Sequence, residues 1–198
     1  MSSFQKNDVP KPAAAAFARY SVGTLLRTMA ALALGYVLLL TYLHYQADTD
    51  IQDPDIQRLF GGAQGASTLK HVDRVEAYLI DRPVEIKEGD PELQRYPTTK
   101  GPVSVPRSDV AALKRVLLDR KSHTWKIQTD CKPSYGVRLD FIRGDDQVSL
   151  FVCFECDLLM TYLNGKYVAV ENYNARSTVG PVVRSLFPDD AKIQSLLQ

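Results

Sequence analysis

Three kinds of hydrophobic pattern follow one another along the chain. The first is continuous: Thr28 to Leu43 runs without a charge. That run is a little shorter than the roughly 20 residues a bilayer span needs. Val22 to Leu26 lengthens it when Arg27 snorkels to the near surface. The predicted span is then 22–43, with Tyr42 and Tyr45 at the far interface. The second pattern has helical spacing, in Val110, Leu113, Val116 and Leu117 behind a capping Ser108, and in Val179, Val182, Val183 and Leu186 with Pro181 in the first turn. Ile193, Leu196 and Leu197 mark a last helical turn.

The third pattern alternates, as strands do. Val75, Ala77 and Leu79 alternate within Val72 to Ile80, and Trp125 and Ile127 within His123 to Thr129. Val137, Leu139 and Phe141 alternate up to Gly144-Asp145, a two-residue hairpin loop, and Val148, Leu150, Val152 and Phe154 return from it. That register sets Phe141 opposite Val148, Leu139 opposite Leu150, Val137 opposite Val152 and Tyr135 opposite Phe154. Met160 to Leu163 turns at Asn164-Gly165 and comes back through Tyr167 to Val170. Asp53-Pro54 starts a short helix that stops at Gly61-Gly62, and the residues after it have a flexible composition. Residues 81–106 read as a long loop, with Val84-Glu-Ile86 a short edge strand and Pro102 to Pro106 extended.

The predicted fold class is α+β: an antiparallel sheet of about 5–6 strands with helices packed on one face, preceded by a single transmembrane helix. The expected organisation is a disordered cytoplasmic tail over 1–20, a transmembrane signal anchor over 21–45, a linker over 46–70 and an exported domain over 71–198.

Charge decides how the anchor is oriented. Lys6, Lys11, Arg19 and Arg27 precede the span, and Asp48, Asp50, Asp53 and Asp55 follow it. The basic side stays cytoplasmic, so the domain faces the exterior or periplasm. A cleaved signal peptide fits less well, because bulky Tyr45 stands three back from a cut after Ala47. A buried helix fits less well because every face of the run is apolar. The net charge of +1, with no basic cluster carrying interleaved aromatics, gives no reason to expect nucleic acid. The expected partners are the membrane, through residues 22–43, and a protein in the exterior or periplasm.

The chain has 3 cysteines. Cys153-Phe-Glu-Cys156 lacks the following His of a haem attachment site, and it lies in a β-patterned run rather than at the helix N-terminus of a thioredoxin-like pair. Zinc would take Cys131, Cys153 and Cys156 with His123 or His71, although Phe-Glu is a poor tight turn and the two cysteines face opposite sides of a regular strand. A structural disulfide fits an exported domain. The hairpin register places Cys156 opposite Pro133, two residues from Cys131 and on the core-facing parity, which favours Cys131–Cys156 over Cys131–Cys153. Three buried thiols remain the plain alternative.

Leu117-Leu-Asp-Arg-Lys-Ser-His123, Cys131, Pro133, Arg138, Phe141, Val152-Cys-Phe-Glu-Cys156 and Leu186-Phe-Pro188 resemble a group of uncharacterised bacterial proteins that are exported or membrane-anchored. The resemblance covers about residues 107–190, and His123 stands where an aromatic such as Tyr is expected. No activity travels with it.

Arg143-Gly-Asp145 spells an adhesion tripeptide, but its Gly and Asp serve the turn. Asp145-Asp146 and Asp189-Asp190 read as turn and cap residues, and Glu155 as a solvated strand residue. The sequence has no phosphate loop, no H-E-x-x-H and no nucleophile elbow. No cofactor and no catalytic residue is named. The leading expectation is a membrane-anchored extracytoplasmic interaction or ligand-binding module; the alternative is a zinc-binding or thiol-redox protein.

Overall fold

The structure is a computed structural model that describes residues 22–85, 92–125, 131–173 and 176–196. The expected tail over 1–20 lies outside them. The chain divides into two compact units, Met1–Gln46 and Ala47–Gln198. The first carries most of helix α1 (Val22–Gln52), whose described side chains from Leu26 to Tyr42 are all exposed, Leu32 at 73%. The predicted transmembrane helix over 22–43 is not found: among the described residues, no helix is long and apolar enough to cross a membrane.

The second unit is built on one antiparallel sheet of seven strands, more than the 5–6 expected. The strands are β1 (Arg74–Ile80), β2 (Thr98–Ser104), β3 (His123–Thr124), β4 (Val137–Arg143), β5 (Asp146–Cys153), β6 (Leu158–Leu163) and β7 (Lys166–Tyr173), in the order β2-β1-β4-β5-β6-β7-β3. The central hairpin has the predicted register, with Phe141 opposite Val148, Leu139 opposite Leu150 and Val137 opposite Val152. Tyr135 and Phe154 do not pair. β4 begins only at Val137, and the two side chains lie in different clusters on opposite faces of the sheet. Asn164 at φ 49° and Gly165 at φ 78° turn the β6–β7 hairpin. Such a two-residue loop requires a left-handed pair.

The additional strand, β2, lies in the expected loop 81–106. It pairs with β1 as an edge strand, and six of its seven residues are exposed, so its sequence carries no alternation. Val84 and Glu85 are not in a strand, and Ile86 lies outside the described residues. The strand expected over 123–129 is regular only at His123–Thr124, and 126–130 lie outside the described residues.

Helices pack on one face, as predicted. They are α2 (Pro54–Phe60), α3 (Ala63–Lys70), α4 (Arg107–Leu117), α5 (Arg176–Leu186) and α6 (Ala191–Leu196). Phe60, Leu69, Leu113, Val183 and Ile193 bury themselves against Ala77, Leu139, Leu150 and Leu159. The stretch 46–70 is therefore not a linker. Asp53 caps α2 by accepting from the Asp55 and Ile56 amides, and Gly61 ends it at φ 86°. Ile56, Leu59, Phe60, Ala66 and Leu69 then make this stretch part of the core. Two predicted helix starts move. α4 begins at Arg107 after Pro106, which places Ser108 inside it, and α5 begins at Arg176, which places Pro181 inside the helix rather than in its first turn.

On the opposite face no α-helix of this unit packs among the described residues. Phe151, Leu158, Met160, Tyr162 and Cys153 form a second cluster there, capped by Leu93 and Tyr96 from the 3-10 turn Glu92–Arg95 and the residue after it. Beside it runs a charged row. The Arg138 guanidinium lies 4.1 Å from the centre of the Tyr78 ring, and its Nε lies 3.2 Å from Asp140 Oδ1. That approach is off-line for a hydrogen bond, so the two groups interact as an ion pair. Asp140 is 3% exposed, and burial raises its carboxyl above the usual range despite Arg138.

Candidate functional site

Cys131 and Cys156 form a disulfide with Cα atoms 5.9 Å apart, and Cys153 is a buried free thiol. The pairing agrees with the sequence; the face does not. β5 ends at Cys153, and Phe154 to Asp157 make a turn closed by Asp157 at φ 50°. The turn cancels the strand parity, so Cys153 and Cys156 both join the second cluster instead of facing opposite sides. Glu155 at the turn is exposed.

His123 does not join the cysteines. It pairs with Tyr173, on the face that the helices cover, whereas Cys153 pairs with Leu158 on the other face. His71 is exposed just beyond α3. The zinc set predicted from Cys131, Cys153, Cys156 and His123 is thus divided by the sheet. Among the described residues no three His, Cys, Asp or Glu side chains are placed to hold a metal.

His123 belongs to a different site, a cleft of about 470 Å³ lined by Asp53, Leu118, Asp119, Arg120, Lys121, His123 and Trp125. Local chemistry builds it. Leu118 ends α4, and the Asp119 carboxylate accepts from the Lys121 amide to form the turn Arg120–Ser122. That turn delivers His123 to the sheet edge. The imidazole is 5% exposed and its Nε2 lies 2.8 Å from the Leu117 carbonyl. A carbonyl only accepts, so Nε2 carries the proton and Nδ1 keeps its lone pair. Nδ1 is buried and has no hydrogen-bond partner among the described residues. Burial holds the His123 pKa below its usual value, outweighing the Leu117 hydrogen bond, so the ring is neutral.

Trp125 forms the adjoining wall. Its indole N–H donates to the Arg120 carbonyl at 3.1 Å, and its ring centre lies 5.2 Å from that of His123. The Arg58 guanidinium carbon lies 5.7 Å from the indole centre. That of Arg120 lies 5.6 Å from it, so both cations sit within reach of the ring's negative face. Arg120 is held by Asp53 and Asp55, at the start of α2. Arg58 reaches Asp55 at 3.5 Å and the buried Glu171 at 3.8 Å. The cleft therefore offers an aromatic wall and a rim of paired charges, with the neutral His123 imidazole behind them.

Sequence reading named His123 for the wrong chemistry and passed over Trp125, Arg58 and Arg120. The available signal was the single tryptophan two residues from a histidine. No family model, curated protein or solved structure matches the chain.

Proposed function

We propose that the chain is a membrane-tethered, extracytoplasmic binding module whose ligand enters the Trp125 cleft. The observation that carries the binding half is the Trp125 indole, which lines the cleft beside His123 with the Arg58 and Arg120 guanidinium carbons 5.7 and 5.6 Å from its centre. The His123 Nδ1 has no donor among the described residues; an unmade buried acceptor costs roughly 1–3 kcal/mol, which a ligand N–H or O–H recovers when the ring turns toward the cleft. Trp125 would hold the apolar body of that ligand.

The tethering half draws on three features. The α1 side chains from Leu26 to Tyr42 are exposed and almost wholly apolar. Basic residues precede that run and acidic ones follow it. The Cys131–Cys156 disulfide suits an oxidising compartment. The resemblance of residues 107–190 to exported bacterial proteins points the same way.

Trp125 is the only tryptophan, so its fluorescence reads the cleft directly. A panel of small primary amides, ureas and aryl alcohols is titrated against the full chain. A saturable change that disappears in His123→Phe supports the reading. No saturable change with any of them, or one unaltered by His123→Phe, removes it. A phosphatase that folds only after export, fused after Gln198, tests the topology; an inactive fusion on a stable chain refutes the tethered, exported arrangement.

A second reading, a thiol-redox or metal protein, draws on the gathering of Cys131, Cys153 and Cys156 at one face. Stoichiometric metal in protein purified without chelator, lost in Cys153→Ser, would replace the first reading with this one.

A further inference from the structure

A cavity of about 220 Å³ opens at one end of the sheet and shares no lining residue with the Trp125 cleft. Segments far apart in the chain meet around it. β1 ends there at Leu79 and Ile80, followed by Asp81. The stretch before β4 supplies Ser134 and Gly136, and the turn after β5 supplies Phe154 and Glu155. The start of α6 adds Asp190, Lys192 and Ile193. Leu79, Phe154 and Ile193 are buried members of the main core, so the floor is apolar. The mouth is charged: among the described lining residues, three carboxylates stand with one ammonium, that of Lys192. Asp81 and Asp190 each commit an oxygen to a backbone amide, of Arg82 at 2.7 Å and of Ile193 at 2.9 Å. The Glu155 and Ser134 side chains make no hydrogen bond or ion pair among the described residues, so both can receive a ligand. Gly136 leaves room beside them, because a Cβ there would meet no atom within 4 Å.

A second observation is the disulfide. Cys131 lies three residues before Ser134, and Cys156 directly follows Glu155. The Cys131–Cys156 bond therefore ties one wall of the cavity to the other. Residues 131–136 and 154–157 lie outside every strand and helix, so this bond sets how far apart the walls stand.

We propose that the cavity binds a small primary amine with an apolar body, and that the disulfide holds the cavity in its binding shape. The ammonium N–H groups would donate to the Glu155 carboxylate and the Ser134 hydroxyl. The hydrocarbon would lie on Leu79, Phe154 and Ile193, the usual division of labour in a small-molecule site. The excess of carboxylates at the mouth favours a cation over a neutral or anionic molecule of the same shape. At roughly 30 Å³ per water-sized group, the space takes about seven or eight non-hydrogen atoms, the size of benzylamine. This site is separate from the Trp125 cleft, and the inference depends neither on that cleft nor on the membrane.

The test titrates the nitrogen-15-labelled full chain, in mild detergent, with benzylamine. The backbone amide signals of Gly136 and Glu155 are followed. The expected result is a saturable shift at both, with half-saturation in the millimolar range or below. Benzyl alcohol lacks the charge and should bind roughly fivefold more weakly, the scale of one exposed ion pair. Benzoate, with the opposite charge, should bind more weakly still. Gly136→Leu places a side chain in the space, and the backbone there lies outside the left-handed region, so no strain accompanies it. That variant should lose the shift at Glu155. Glu155→Lys, at an exposed turn position, reverses the charge and should weaken binding roughly tenfold. It decides the matter where the leucine variant does not fold. Cys131→Ser, or dithiothreitol on the wild type, should weaken binding severalfold. The Trp125 indole N–H signal reports the other cleft in the same spectra, so the two sites stand or fall separately. The absence of a saturable shift at Gly136 and Glu155 overturns the proposal. So does binding that benzyl alcohol matches, or that Glu155→Lys leaves intact. Unchanged affinity after reduction overturns the part assigned to the disulfide.

Discussion

The disulfide permits a quantitative test. Cys131 and Cys156 have a sequence separation of 25. Closing a loop of that length removes about 12 cal/mol/K from the unfolded chain, or about 3.5 kcal/mol at room temperature. Cys131 is exposed, so Cys131→Ser leaves no cavity at its own site, and the Cys156 thiol stays among apolar neighbours that tolerate it. The expected loss for Cys131→Ser is therefore close to the loop contribution, about 3 kcal/mol. In a unit spanning Ala47–Gln198 this lowers the melting temperature by about 10 °C. Cys156→Ser should cost about 1 kcal/mol more, because it sets a hydroxyl in the cluster with Phe151 and Leu158. Urea unfolding followed at Trp125 reads all three proteins. Dithiothreitol should lower the wild type to the Cys131→Ser value and leave that variant unmoved. A loss under about 1 kcal/mol, or a reductant effect that persists in Cys131→Ser, refutes the reasoning.

Further outcomes follow from the buried charges and the helix cap. Arg138→Met strands the Asp140 carboxylate, 3% exposed, and should cost about 3 kcal/mol in the same unfolding assay, whereas adding Asp140→Leu should restore much of it. His123 has a depressed pKa in the folded state, so the unfolded chain binds its proton first as pH falls. Stability should therefore drop from about pH 6.5 downward, and His123→Phe should flatten that limb of a stability–pH profile. Asp140 has the opposite sign: its raised carboxyl makes stability fall as pH rises above about 4, and Asp140→Asn should remove that slope. Gly61→Ala forces a side chain against Leu163 and Val168 in the left-handed backbone region. Thermal melting should show a loss of roughly 1–2 kcal/mol, the cost of placing an L side chain there.

Much of the sheet was legible because its hairpins state their own register. Gly144-Asp145 and Asn164-Gly165 are turns, and the alternation on either side admits one pairing. β2 was hidden because an edge strand facing water on both sides has no reason to alternate. α3 was hidden for a different reason. Its Gly65 reads as flexibility, yet a Cβ there would run into the Phe60 carbonyl, so the glycine permits close packing of α3 against the end of α2. The cysteine pairing was legible, but its face was not, because the turn after Cys153 resets parity without a Gly or Pro to announce it. The cleft was the least legible feature. Asp53, Arg58, Arg120, Trp125 and Glu171 meet only through the fold, and the one local signal of them in the chain is Trp125 two residues from His123.

The placement of β1 between β2 and β4 also sets a schedule for the growing chain. Val75 pairs with Phe141, so the strand that completes the N-terminal third of the unit is made long after it. At roughly 5–20 residues per second, β1 and the apolar sides of α2 and α3 wait several seconds for β4 to emerge. Until then only β2 can pair with β1, and Phe60, Leu69 and Val75 lack the central strands that complete their cover. The β4-to-β7 meander, by contrast, closes each hairpin as it is synthesised. During biogenesis the burden on chaperones should therefore fall on the segment from α2 through β1, and it should end when the first central hairpin is complete.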